Sequence, residues 1–158
     1  MKKNYLAGLF LAVSTLFLTS CDKDDDKSAV VETKNYLIGK WDLKLVDIKV
    51  LFDGEVYQEM EDYDTTNELT MQFNFKDEKT VELYQFSPAT EDSESETFQA
   101  TGTYVKNGND LTITIEDEAT PFKIVINDNE KLHLFQSYEE TYEGIVIAQE
   151  TTFKFTKM

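Results

Sequence analysis

The chain has 158 residues, of which 31 are acidic and 15 are lysines, and its formal net charge is −16. Such an anionic surface excludes nucleic acid and anionic lipid headgroups as partners, because both bind through a basic patch that displaces counterions. Aromatic residues make up 13% of the chain, which indicates a folded rather than a disordered protein. The acids either keep the protein soluble or attract a cationic partner or a divalent ion.

The first 20 residues have the pattern of a bacterial signal peptide. Two lysines precede an apolar run over residues 5–18, and this run is shorter than the roughly 20 residues of a membrane-spanning helix. The run leads into a segment that resembles the lipobox of bacterial lipoproteins, Leu18-Thr19-Ser20-Cys21. The resemblance implies that the signal peptide, residues 1–20, is removed and that Cys21, the only cysteine, is acylated. A diacylglycerol thioether and an N-linked acyl chain such as palmitate would together form a stable membrane anchor.

Residues 21–35 are predicted to be a lipidated, acidic tether. The residues directly behind the cysteine have no apolar side chain and are therefore expected to be solvated: Asp22, Lys23, Asp24, Asp25 and Asp26. This run resembles the export signal that sends some Gram-negative lipoproteins to the outer leaflet of the outer membrane. Enteric-type sorting, by contrast, retains a lipoprotein at the inner membrane when an aspartate follows the cysteine, and Asp22 fits that rule too. We expect a lipid anchor in the outer membrane with the domain exposed at the cell surface, and the periplasmic face of the cell envelope is the alternative.

Residues 36–158 are predicted to form one all-β domain. Leu69, Met71, Phe73 and Phe75 alternate with polar residues, which is the pattern of a half-buried strand. An Asn-Gly pair at residues 107–108 indicates a tight hairpin. Similar patterns predict eight antiparallel strands near residues 40–52, 69–75, 81–86, 98–104, 111–115, 121–126, 132–138 and 145–155, with longer loops at 53–68 and 87–96.

The predicted first strand changes phase along its length. Trp41 and Leu43 point one way, whereas Ile48 and Val50 have the opposite parity, so a bulge near Val46 is expected. Eight antiparallel strands are the number that closes a small up-and-down barrel. The alternative is a β-sandwich, which a tryptophan on the first strand disfavours because an immunoglobulin-like core places it on the third.

Two motifs resemble those of lipocalins and of lipocalin-like bacterial lipoproteins. Gly39-Lys40-Trp41 matches their Gly-x-Trp motif, and Gly102-Thr103-Tyr104 before a hairpin recurs in the same domains. The resemblance implies a lipocalin-like barrel over residues 36–158, in which the glycine lets the chain cross the barrel floor and the indole plugs that end. The family usually stacks an arginine of the last strand on this tryptophan. Because the chain has no arginine, either Lys154 or Lys157 takes that place as a cation–π partner or the contact is absent.

No catalytic residue, metal site or cofactor is predicted. The only histidine, His133, lies between Leu132 and Leu134 and therefore faces the opposite side of its strand. The sequence has no Gly-x-Ser-x-Gly or His-Glu-x-x-His motif that would give a histidine a catalytic context. Zinc sites prefer cysteine and histidine ligands, and the single cysteine is committed to lipid. We therefore expect a protein that is not an enzyme.

Aromatic side chains are the candidates for ligand contact. Six of them either line a cavity for a small hydrophobic ligand or fill the barrel as a packed core: Phe73, Phe75, Tyr84, Phe86, Tyr104 and Phe122. A further aromatic cluster at residues 138–142 is expected to top a hairpin as a protein-binding rim. The leading hypothesis is a membrane-anchored, non-enzymatic lipocalin-like lipoprotein that binds a small hydrophobic ligand or a protein partner at the cell envelope. The alternative is a structural or interaction subunit of an envelope complex, with a packed core and no ligand cavity.

Overall fold

The computed structural model describes residues 36–90 and 93–158. The predictions for the signal peptide, for acylation of Cys21 and for the acidic run at residues 22–26 lie outside these residues. Every regular element in the described part of the chain is a β-strand.

Nine strands of the described residues form one antiparallel sheet. They are β1 (Gly39–Phe52), β2 (Glu55–Asp64), β3 (Thr70–Phe75), β4 (Thr80–Ser87), β5 (Glu96–Asn107), β6 (Asp110–Ile115), β7 (Glu118–Asn127), β8 (Lys131–Tyr142) and β9 (Ile145–Lys157). The sheet order is β2-β1-β3-β4-β5-β6-β7-β8-β9, and β1 also pairs with β9. This last pairing closes β1 and β3 to β9 into an eight-stranded up-and-down barrel, with β2 attached to the outside edge of β1. The predicted all-β barrel is confirmed, and the closed sheet rules out the β-sandwich.

The predicted loop at residues 53–68 is wrong, because β2 occupies most of it. β1 pairs with β3 only from Gly39 to Asp42, whereas its remainder pairs with β2 from Leu45 to Phe52. Backbone N–H and C=O groups in a sheet need partners, and β2 supplies them to the part of β1 that has left β3. Only Met60 in β2 is partly buried, so this strand has no apolar alternation by which the sequence would reveal it.

The predicted bulge in β1 is confirmed. The register between β1 and β9 shifts between Leu43 and Leu45, so Lys44 is the extra residue. A bulge of this kind reverses which residues point inward. Leu43 is buried before it and Val46 is buried after it, as the change of phase in the sequence requires.

The two ends of the barrel differ in their construction. The closed end holds Trp41 and the turns at residues 76–79, 108–109 and 128–130. The open end holds the turns at 53–54, 65–69, 116–117 and 143–144, together with residues 88–90 and 93–95. At the closed end, the Asp77 carboxylate accepts hydrogen bonds from the N–H groups of Lys79 and Thr80, which lowers the pKa of Asp77. Local side-chain hydrogen bonds of this type stabilise short turns.

Gly102 is required where β5 approaches β6. A Cβ atom at this position would lie 2.0 Å from the backbone oxygen of Thr114 and 2.6 Å from Cδ1 of Ile115. Neither a backbone oxygen nor a packed interior side chain can move away without disturbing the sheet. The first residue of the Gly102-Thr103-Tyr104 motif must therefore be glycine for a steric reason.

Replacement of Gly102 by alanine should destabilise the barrel by about 3 kcal/mol, at the upper end of the usual cost of overpacking. Gly108→Ala is the control, because a Cβ there meets nothing within 4 Å although φ is +60°, and this backbone strain costs about 1 kcal/mol. Urea unfolding monitored by tryptophan emission measures the free energy of unfolding of both variants. Equal losses for the two variants would mean that β5 and β6 separate easily.

Candidate ligand site at the open end of the barrel

Trp41 closes one end of the barrel. Its side chain is 0% exposed, and its Nε1–H donates a hydrogen bond of 2.6 Å to the Leu37 carbonyl oxygen. The Lys157 ammonium lies 5.0 Å from the centre of the indole ring, a distance typical of a cation–π contact. The predicted lysine partner of Trp41 is therefore present, and it is Lys157 rather than Lys154.

Gly39 makes room for this contact. It has a φ of +129°, and a Cβ atom there would lie 2.8 Å from Cε of Lys157. Any other residue would therefore be strained and would also push the lysine off the ring. Since Gly39, Trp41 and Lys157 together fill the closed end, a ligand can reach the interior only from the open end.

Lys154 has a different role on the outer wall. Its ammonium lies 2.7 Å from Oδ1 of Asp47 and 2.6 Å from Oδ1 of Asp62, and both carboxylates raise the pKa of Lys154. Burial alone would raise the pKa of Asp47, but a hydrogen bond from the Asp62 N–H and the Lys154 ammonium outweigh burial and lower it. Asp62 has a φ of 52° and lies in the bulge of β2. These contacts therefore fix β2 to β1 and β9.

His133 lies on the same outer wall. It is directly opposite Lys154 on β9 and faces away from the buried Leu132 and Leu134, as its position in the sequence predicts. Partial burial lowers the pKa of His133, and the positive charges of Lys154 and Lys131 lower it further. This histidine is therefore remote from the barrel interior.

Four of the predicted ligand-lining residues do point inward. Phe73, Phe75, Tyr104 and Phe122 are all buried. The ring centroids of Phe75 and Tyr104 are 4.9 Å apart in an edge-on contact, and those of Phe73 and Phe75 are 5.8 Å apart. The Tyr104 hydroxyl donates to the Asp77 carbonyl oxygen. In this part of the barrel these side chains pack against one another and form a core.

Tyr84 and Phe86 do not line the interior, and their predicted inward position is corrected. Val81 and Leu83 are the buried residues of β4, so Tyr84 and Phe86 have the opposite parity. Tyr84 lies opposite Gln72, and Phe86 lies opposite Thr70. The sequence is ambiguous here because Leu83 and Tyr84 are adjacent apolar residues, and the inward position between Tyr84 and Phe86 belongs to Gln85.

The open half of the barrel has an apolar lining that is only partly covered. Its residues pack on the core but remain partly exposed: Ile48, Leu69, Phe98, Ala100 and Phe153. All five residues lie in strands that the sequence predicts, but none of them is among the predicted ligand contacts. The feature of the sequence that could have identified them is their position, because Leu69 and Phe98 adjoin the two longest predicted loops.

Polar side chains are interspersed with this apolar lining. Thr151 is buried, and its Oγ1 accepts a hydrogen bond of 3.2 Å from Nε2 of Gln149. Gln136 lies directly opposite Thr151, and Gln85 lies opposite the buried Met71. A mainly apolar surface with a few polar groups is characteristic of small-molecule sites.

Within residues 36–90 and 93–158, no group of three or more His, Cys, Asp or Glu side chains is placed to hold a metal ion. The same part of the chain contains no helix long and apolar enough to cross a membrane.

Replacing Trp41 with alanine should reduce the free energy of unfolding by roughly 3–5 kcal/mol, the usual cost of deleting a large buried aromatic side chain. Lys157→Met, which keeps an unbranched side chain of similar size but removes the charge, should cost only about 0.5–1 kcal/mol. Thermal or urea unfolding monitored by circular dichroism compares the two. A small loss for Trp41→Ala would contradict the assignment of this indole as the plug of the closed end.

The chain is similar to several solved structures at low sequence identity. A crystallised lipocalin-like protein from Bacteroides uniformis is 16% identical, with a TM-score of 0.43, and the match covers 78% of this chain and 99% of that one. An uncharacterised protein from Bacteroides eggerthii is 17% identical, with a TM-score of 0.41 and coverage of 77% and 98%. Bovine odorant binding protein, solved with a selenium-containing odorant, is 16% identical, with a TM-score of 0.44 and coverage of 87% and 78%.

No curated protein sequence matches the chain. The family model for the lipocalin-like domain matches residues 37–134, which is more than half of the chain and includes both motifs of the sequence. The protein therefore belongs to the lipocalin-like domain family.

Proposed function

We propose that this protein is a membrane-anchored, non-enzymatic lipoprotein whose barrel binds a small hydrophobic ligand at its open end. The observation that carries the proposal is the partly covered apolar lining around Ile48, Phe98 and Phe153. Apolar area of this kind releases water when a ligand covers it, and each Å² removed from water contributes roughly 25 cal/mol. In the closed half of the interior, by contrast, the aromatic side chains of Phe73, Phe75 and Tyr104 already cover one another.

A binding role fits the chemistry of the described side chains better than catalysis does. General acid–base catalysis requires a titratable group within hydrogen-bond reach of a substrate. His133, the only histidine of the chain, lies on the outer wall opposite Lys154. The carboxylates of Asp47 and Asp62 are occupied by the same lysine.

The anchor belongs to the proposal because of the sequence before the domain. Acylation of Cys21 would hold the barrel at the membrane, and the acidic run behind it would act as a solvated tether and an export signal for the outer membrane. The barrel would then collect its ligand at the surface of the cell, or at the periplasmic face of the envelope if the export signal is not read.

A second function is favoured by one observation. Phe73, Phe75, Tyr104 and Phe122 pack as a core, which is also expected of a structural or interaction subunit of an envelope complex. Such a subunit would use the exposed Tyr138 and Tyr142 at the tip of the β8–β9 hairpin as its protein-binding rim.

Phe98→Gln should weaken binding of the neutral fluorophore N-phenyl-1-naphthylamine by about tenfold or more, equivalent to about 1.4 kcal/mol. Val105→Gln is the matched control on the same strand, because Val105 is 60% exposed and has the opposite parity. Fluorescence titration measures both affinities. Equal affinity of the two variants for the fluorophore would mean that the ligand binds elsewhere on the protein. Absence of binding by the wild-type protein would favour the interaction subunit.

Cys21→Ser should abolish the incorporation of labelled palmitate, because the thiol is the proposed point of acylation. A variant with Asp24, Asp25 and Asp26 changed to alanine should remain acylated, but it should be less accessible to protease added to whole cells. Palmitate labelling and mass spectrometry measure acylation, and digestion of whole cells measures exposure at the cell surface. Palmitate incorporation in Cys21→Ser would refute the anchor, and unchanged digestion of the triple variant would reduce the acidic run to a spacer.

A further inference from the structure

Four strands extend beyond the rest of the barrel at the open end. The β7–β8 pairing ends at Lys123 opposite Phe135, so the remainder of β8 pairs only with β9. β1 leaves β3 after Asp42, and β2 pairs only with β1 among the strands that the structure describes. We call this extension, together with the residues that join it to the barrel, the flap; it consists of residues 46–52, 55–63, 134–142 and 145–153.

The inner face of the flap changes from apolar to polar with distance from the core. Directly opposite residues of antiparallel strands share a face. The row nearest the core is Val46–Phe153–Leu134, which is entirely apolar. Two rows further out the residues are Val50–Gln149–Tyr138, so amide and hydroxyl groups join the apolar side chains there.

The outermost row of the inner face bears carboxylates. Phe52 lies opposite Glu55 on β2 and Ile147 on β9, and Ile147 lies opposite Glu140 on β8. Glu55 and Glu140 therefore flank an apolar pair at the tip of the flap. Lys49, the only lysine of the flap's four segments, lies opposite Glu59 and Glu150 on the other face, so it does not neutralise them.

Aromatic rings accompany these carboxylates. The rings of Phe52 and Tyr57 meet edge-on with centroids 4.8 Å apart, and the Tyr57 side chain is 72% exposed. Tyr138 is 45% exposed, and its hydroxyl donates to Oε2 of Glu140 at 3.0 Å. Exposed aromatic faces beside carboxylates are the groups that attract an ammonium.

The turns at the open end are acidic, like the tip of the flap. Its turns contain acids such as Glu68, Glu116, Asp117 and Glu143 but no lysine. The closed end, by contrast, has lysines in and beside its turns, including Lys76, Lys79 and Lys131. Such a separation steers cations toward the open end and repels anions from it.

From this graded inner face we infer that the ligand is an amphiphile with one apolar chain and a cationic head. The apolar chain lies against Ile48 and Phe153, and the ammonium head lies between Glu55 and Glu140 beside the aromatic rings. The inference rests on the proposed function and specifies its ligand class. The negative charge of the rim weakens the binding of anionic amphiphiles of the same length.

The test compares three probes that share a dodecyl chain: the trimethylammonium, the sulfate and the maltoside. Each is titrated calorimetrically below its micelle-forming concentration into the full chain carrying Cys21→Ser. The ammonium should bind at least about tenfold more tightly than the sulfate. Replacing both Glu55 and Glu140 with glutamine should weaken ammonium binding by about five- to tenfold, because two partly exposed charge contacts are lost, while leaving maltoside binding unchanged.

The control variant carries Glu59→Gln and Glu150→Gln, which remove the same charge from the outer face of the flap. It should change ammonium affinity by less than about twofold, and added salt should narrow the preference for ammonium. Equal binding of all three probes, with each weakened by Phe98→Gln, would overturn the cationic head and leave the hydrophobic site standing. Equal effects of the two double variants would overturn the assignment to Glu55 and Glu140. Binding of none of the probes by folded protein would overturn both proposals.

Discussion

The barrel depends on the pairing of its first long strand with its last. β1 and β9 pair from Trp41 opposite Lys157 to Phe52 opposite Ile147, which joins the two ends of the domain. Contacts so distant in sequence carry a large loop-closure cost before they contribute any stability. Once formed, this pairing brings Lys157 over the Trp41 ring at the closed end. At the other end it extends β1 beyond the reach of β3. The backbone groups of this part of β1 then need β2 as their hydrogen-bond partner.

The size of the side chains divides the interior into a packed core and the proposed ligand site. Eight strands enclose a space that side chains can fill, and Phe73, Phe75, Tyr104 and Phe155 are large enough to fill its closed half. Toward the open end, smaller or polar inward residues such as Ala100, Gln85 and Thr151 alternate with the partly covered apolar lining. The expected packed core therefore occupies the closed half of the barrel, and the proposed binding surface lies in the open half.

The sequence predicts the elements whose two faces differ. β3 and β6 alternate strictly between buried and partly exposed residues, and both strands were predicted within one residue of their observed ends. β2 was missed because almost all of its side chains are exposed on both faces. The orientation of Tyr84 and Phe86 was wrong because adjacent apolar residues leave the phase of β4 undefined. The choice between Lys154 and Lys157 required the β1–β9 register, which periodicity alone does not supply.

β2 shows how one set of charges has two physical consequences. A strand that buries so little is held by its hydrogen bonds to β1 and by the contacts among Asp47, Lys154 and Asp62. Acids along its free edge discourage other strands from pairing with it, and for that purpose carboxylates on either face, such as Glu55 and Glu59, serve equally. Attraction of the proposed ligand's head depends on the face, because of these two residues only Glu55 shares its side of the flap with the apolar lining. The face on which a carboxylate lies, rather than the number of carboxylates, therefore distinguishes protection of the edge from the proposed recognition of a ligand.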